Sequence, residues 1–166
     1  MQKLFLTLIS LCLFTSIKAK DSTSSNYLMK YGELVISEVV PVDHKSKDAL
    51  FQDAIIWINN NFNSPKTVIQ TKDSDLGLIT LKSIAIQSED YEGRPSQWFT
   101  FSLSIQVKDG RYKYEFSNLE WNWDLSDIGK FVKRKPSSAG DKDVHKVFCH
   151  IIFSLKKQMT KQEDEW

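Results

Sequence analysis

His145 and Cys149 stand four residues apart in a segment with helical periodicity, so their side chains share one face. A thiolate and an imidazole so placed are the parts of a nucleophile–base pair, or two ligands for a metal. Two ligands are not a site: structural zinc closes with about four protein ligands and catalytic zinc with about three. Nothing in the spacing assigns His44 as a third. Both residues flank an apolar stripe, and packing at the helix flank accounts for them. No metal and no cofactor is expected.

Carboxylates form two loop clusters, Asp73 with Asp75, and Glu89 with Asp90 and Glu92. Paired carboxylates serve glycoside cleavage or calcium binding. Asp73-Ser74-Asp75-Leu76-Gly77 opens like a calcium loop, but Ile84 stands where the closing glutamate belongs. Turn formation and solvation explain these acids. A serine-centred elbow, a phosphate-cradling glycine loop, HExxH and CxxC are all missing. Catalysis is therefore not the expected role. A small hydrolase using the acidic loops or the His/Cys pair is kept as the alternative.

Trp121, Trp123 and Trp98, with Asn122 between the first two, are the best sequence candidates for a contact surface. Indole rings beside polar groups suit stacking on a sugar or peptide, while core packing is the rival account for at least one ring. The basic run from Lys130 to Lys135, interleaved with Phe131 and Val132, would suit anionic lipid or an acidic partner. Followed by Pro136 and serines, it reads as a solvated linker.

These candidates must be positioned by the elements around them. Ser46 to Phe62 predicts a helix: Ser46 is an N-cap, and Leu50, Phe51, Ala54, Ile55, Ile58 and Phe62 keep helical spacing, with Trp57 at the border. Ser64-Pro65 stops it. Asp143 to Gln158 predicts a second helix, striped by Val144, Val147, Phe148, Ile151, Ile152 and Leu155. Strands are expected over 34–42, 67–71, 76–86, 99–107 and 111–116. The last two alternate strictly and are joined by a tight Asp109-Gly110 turn. Beyond Ser117-Asn118 the apolar parity switches, which demands a bulge or a new element. The stretch 124–141 reads as a long polar connection.

The N-terminus has the three-part shape of a secretory signal peptide: basic Met1-Gln2-Lys3, an apolar run from Leu4 to Phe14, and a small-residue end at Ala19. The run is about half the length of a membrane span. Leu11 before Cys12 does not fit a lipidation signal. Cleavage after Ala19 leaves about 147 residues, one ordinary domain. Lys3 and Lys18 leave with the leader, taking the formal net charge from +1 to −1. Such a chain lacks the electrostatic footprint of a nucleic-acid binder. Cys12 leaves too, so Cys149 is alone and no intrachain disulfide is possible.

Several segments together resemble a bacterial secreted family, domain of unknown function 4468, described as having a TATA-binding-protein-like fold. They are Ser46-Lys47-Asp48 with Phe51, Ala54 and Trp57; Val68-Ile69-Gln70 followed by Asp75, Gly77 and Ile79; and Lys108-Asp109-Gly110-Arg111-Tyr112-Lys113-Tyr114. The resemblance covers roughly Leu34 to Phe116, with Phe51 where tyrosine is expected. It implies an antiparallel sheet backed by helices and an unassigned role, and it offers no catalytic residues.

The expected fold is α+β, a curved, mostly antiparallel sheet of about five strands with two helices on one face, in the order βαββββα. The expected organisation is a leader over 1–19, a flexible tail over 20–32, one domain over 33–160 and a frayed tail over 161–166. The expected function is a secreted or periplasmic, non-catalytic interaction module of the cell envelope. Its partner would be an envelope protein or glycan, bound at the polar face of the sheet or at the Trp121–Trp123 segment. A structural envelope-assembly component is a further alternative.

Overall fold

The computed structural model describes residues 26–89, 93–125, 130–138 and 140–161. The expected leader, Asp90, Glu92 and the end of the chain from 162 lie outside the described residues. The elements are β1 (Asn26–Lys30), β2 (Glu33–Pro41), α1 (Lys47–Asn61), α2 (Pro65–Val68), β3 (Ile69–Asp73), β4 (Leu78–Glu89), β5 (Pro95–Lys108), β6 (Arg111–Leu125), β7 (Lys130–Arg134) and α3 (Lys142–Met159). The strands form one antiparallel sheet in the order β1-β2-β6-β5-β4-β3, and β7 pairs with the far half of β6.

Both long helices lie on one face of this sheet. Phe148 of α3 meets the rings of Phe99, Phe101 and Phe116 edge-on at 5.2–5.8 Å. Trp57 of α1 is buried in the same core and donates its indole Nε1–H to Ser154 Oγ at 2.9 Å. The alternation along β5 and β6 then sends Ser102, Ser104, Gln106, Arg111 and Lys113 to the opposite face, which no helix covers among the described residues.

The family-like segments converge on one corner, at the start of α1. Ser46 accepts from Ala49 N–H at 3.2 Å, as an N-cap should. The N–H of Lys47 is instead taken by Asp109 Oδ1 of the β5–β6 turn, at 2.7 Å. Gly110 N–H donates to Lys45 O and Val42 N–H to Gly110 O, both at 2.9 Å, so the hairpin tip is fixed to the β2–α1 junction. Asp109 is thus a second cap supplied from far away in the chain, with its charge at the positive end of the helix dipole. Asp109→Ala should cost about 1 kcal/mol, read as a lower urea midpoint with an unchanged slope.

Three elements differ from the sequence reading, and one alternative it left open is decided. The structure has seven strands rather than five. Asn26–Lys30, expected inside a flexible tail, pairs along its length with Ser37–Glu33 of β2. Within the expected connection, Lys130–Arg134 pairs with β6 residues 121–125. Pro65, which ends α1, also opens the single turn of α2, since proline fits a first helical position. The parity switch after Ser117 is a bulge within one continuous strand. Asn118 and Leu119 together face Phe101, because Ser102 pairs with Ser117 while Thr100 pairs with Glu120. Asn118 takes φ +53°, and its amide donates to Ser102 Oγ at 3.2 Å.

Candidate functional site

β3 pairs with β4 only over Leu78–Leu81, because it is less than half as long. From Lys82 to Glu89, β4 has no strand on that side among the described residues. Between this stretch and the two long helices lies a cleft of about 500 Å³. Its apolar wall comes from Trp57 and Phe62 on the α1 side, Val147 and Ile151 of α3, and Ala85 and Phe101 of the sheet, while Ile84 and Ile86 border it only from the outward side of the β4 edge. The two isoleucines remain about half exposed.

The polar groups of the cleft are few and mostly engaged. Asn61 Nδ2 donates to Trp57 O at 2.8 Å, and Ser154 Oγ, holding the Trp57 indole, also donates to Ile151 O at 3.0 Å. Gln87 Nε2 donates to Asp143 Oδ1 at 3.1 Å, but Gln87 Oε1 is buried without a partner. Lys146 and His150 stand exposed at the α3 rim. The arrangement can hold an apolar group and offer it one buried acceptor. Ser154 and His150 both line the cleft but are engaged separately, Ser154 Oγ with Ile151 O and His150 Nδ1 with Lys146 O at 3.0 Å.

The four residues expected as a contact surface are divided between the two sheet faces. Trp121 and Trp123 point to the helix side. Trp98 and Asn122, opposed across β5 and β6, point to the other. Trp121 is 6% exposed and sits in a ladder, 5.4 Å from Phe99 and 4.3 Å from Trp123. The Arg134 guanidinium lies 4.8 Å from the Trp121 ring and 5.5 Å from that of Trp123, and its Nη2 is 3.8 Å from Asp141, the N-cap of α3. Protein groups therefore already occupy the ring faces of Trp121. Asn122 is buried and donates to Glu120 O at 3.0 Å.

His145 and Cys149 share a helix face but do not act on each other. His145 stacks on Tyr27 of β1 with ring centroids 3.8 Å apart. The Tyr27 phenol is pushed up to about 12, first by burial and then by Cys149. Cys149 is exposed, donates to Lys146 O at 3.2 Å, and lies 3.6 Å from the ring nitrogen of His150 rather than His145. Asp73 spends its carboxylate on the turn, accepting from Leu76 N–H at 2.8 Å. Glu89 is exposed, and neither it, Asp73 nor Asp75 lines the cleft. No cluster of three potential metal ligands exists among the described residues. None of their helices is long and apolar enough to cross a membrane.

Sequence reasoning missed the cleft. The signal was the mismatch between a short third strand and a long fourth one, which leaves a sheet edge beside two apolar helix stripes.

Comparisons with known proteins agree on the fold. The family model "Domain of unknown function (DUF4468) with TBP-like fold" matches residues 37–122, just over half of the chain. Among solved structures, a TBP-like protein from Parabacteroides distasonis ATCC 8503 is similar at 16% identity and a TM-score of 0.61, over 82% of this chain and 99% of that one. A DUF4468 family protein from Bacteroides ovatus ATCC 8483 is similar at 11% identity and a TM-score of 0.57, over 84% of this chain and 94% of that one. No curated protein matches. At these identities the two structures speak for the fold alone. The match of family model, sheet and helix placement shows that the chain belongs to the DUF4468 family and has its TBP-like α+β fold.

Proposed function

We propose that the protein is a non-catalytic binding domain, exported by its leader to the periplasm or beyond, whose cleft holds an apolar group of an envelope protein or glycan. The observation that carries this reading is the cleft itself. Its volume of about 500 Å³ falls in the range of small-molecule sites. Apolar walls with one orphaned acceptor are the composition of a site that orients a ligand. The dispersal of His145, Cys149, Asp73 and Glu89 argues against the hydrolase alternative. Export rests on the pattern of residues 1–19.

The test is a binding screen of residues 20–166 against glycans and envelope proteins, repeated with Ile151→Trp. Ile151 is half-buried in the cleft wall, so the larger ring fills the cavity at small cost to the core. Binding should weaken by about tenfold or more, the loss of one well-packed apolar contact. Unchanged affinity in a variant that still folds would remove the cleft as the site.

A further inference from the structure

The uncovered sheet face carries a second feature, remote from the cleft. At the β5–β6 hairpin, Lys108 is directly opposite Arg111, and Gln106 directly opposite Lys113. Arg111 and Lys113 project to the same face, as do Gln106 and Lys108. Val39 of β2 is opposite Lys113. These side chains line a notch of about 240 Å³.

Three cations thus border one small notch, and two of them form a cross-strand pair. Like charges directly opposite each other destabilise a sheet. The carboxylate nearby does not relieve them. Glu115 receives Lys113 Nζ at 2.9 Å and Lys30 Nζ at 3.5 Å. The hydrogen bond from Lys113 is the main reason its carboxyl titrates below the ordinary range. Asp109, between the two opposed cations, is turned to the start of α1. Among the described residues, neither Lys108 nor Arg111 has an ion-pair partner. An arginine fork beside a lysine is the donor set that oxyanions take in two-pronged fashion.

The surroundings say what carries the oxyanion. From Gln106 the outward row of β5 runs on through Ser104, Ser102 and Thr100, a strip of an amide and hydroxyls with no helix over it. Such a strip pairs with hydroxyls. The exposed aliphatic residues of this face, among them Val39 beside the notch and Ile84 and Ile86 at the other end of the strip, are set apart by this polar row and form no continuous patch for insertion into a lipid surface.

We propose that this notch binds the phosphate or sulfate group of an anionic sugar, with Lys108 and Arg111 holding the oxyanion and Gln106 and Ser104 reaching the sugar hydroxyls. The site is independent of the cleft, and either stands if the other fails. The oxyanion supplies the countercharge that the fold omits. Removing Arg111 should therefore weaken binding while leaving the free protein as stable or more so, because the opposed cations are relieved.

The test is calorimetric titration with glucose 6-phosphate, glucose 6-sulfate, glucose and inorganic phosphate, on the wild type and on Arg111→Gln, Lys108→Gln and the distant control Lys72→Gln. Urea unfolding of each is measured alongside. The two anionic sugars should bind more tightly than glucose or inorganic phosphate. Each notch variant should weaken binding about tenfold or more, the loss of one charge-assisted contact, with an undiminished unfolding midpoint. Lys72→Gln should bind like the wild type. The proposal is overturned by no binding of either anionic sugar, by no preference over inorganic phosphate, or by equal affinity in Arg111→Gln and Lys108→Gln.

Discussion

Replacing Glu38 with alanine is expected to destabilise the protein by about 3 kcal/mol. Glu38 lies on the helix-facing side of β2, opposite Tyr114. Its carboxylate accepts from the Tyr114 hydroxyl at 2.6 Å and pairs with Lys156 of α3 at 2.7 Å. The two charged side chains are only 12% and 19% exposed. Alanine leaves an ammonium and a phenol without their shared acceptor, and an uncompensated buried charge is costly. The lysine stem can carry its head toward water, which keeps the loss at the lower end of the range for buried pairs. Burial, then the Glu38 charge, also raises the neighbouring Tyr112 phenol, whose oxygen is buried without a partner. Urea unfolding should show a lower midpoint at an unchanged slope. The triple change Glu38→Leu, Lys156→Leu, Tyr114→Phe should recover most of the loss, because it removes both charges and the hydroxyl that bonds to Glu38 together. A loss below about 0.5 kcal/mol in Glu38→Ala would mean that the tie between β2, β6 and α3 is solvated and contributes little.

Gly77→Ala is expected to cost a similar amount, about 3 kcal/mol, for a backbone reason. Gly77 ends the turn into β4 with φ +62°, a region L residues enter at a penalty. A Cβ there would stand 2.6 Å from the Val107 carbonyl oxygen and 3.1 Å from Val107 Cγ2. Relief would pull the turn away from β5 and break the bond from Val107 N–H to Gly77 O, now 2.8 Å. Gly110 is the internal control. Its φ of +72° is similar, but nothing lies within 4 Å of an added Cβ. Gly110→Ala should therefore cost only about 1 kcal/mol, the conformational part alone. Equal losses in the two variants would show that φ, not the contact with Val107, governs the site.

The same contrast between local and distant causes explains how much could be read beforehand. The two long helices and the β5–β6 hairpin were legible because their apolar periodicity is continuous and their caps and turn are local. Ser46 is a cap any reader of the chain would choose. Asp109, capping the same helix from 62 residues away, looks like nothing more than a turn residue until the hairpin folds back. The parity break after Ser117 was visible, but a bulge and a new strand write the same pattern. Only pairing to β5 decides between them. β1 and β7 were hidden because short strands at a sheet edge need only one apolar contact each. Trp121 and Trp123, two apart on one strand, share a face by the strand period, while which face, and the Arg134 side chain laid over it, depend on a strand that polar composition concealed. The cleft was hardest of all, since no residue in it is chemically unusual. It exists because two strands differ in length.

A ligand held in the apolar cleft beside β4 must perturb the residues of its walls. The most direct measurement is an amide-resolved NMR titration of residues 20–166 with the neutral apolar probe N-phenylnaphthylamine. Shifts are expected to centre on Ile84–Gln87 and Val147–Ser154, and to be lost in Ile151→Trp. Shifts centred instead on Trp121, Trp123 and Arg134, or a titration unaffected by filling the cleft, would contradict the cleft as the site.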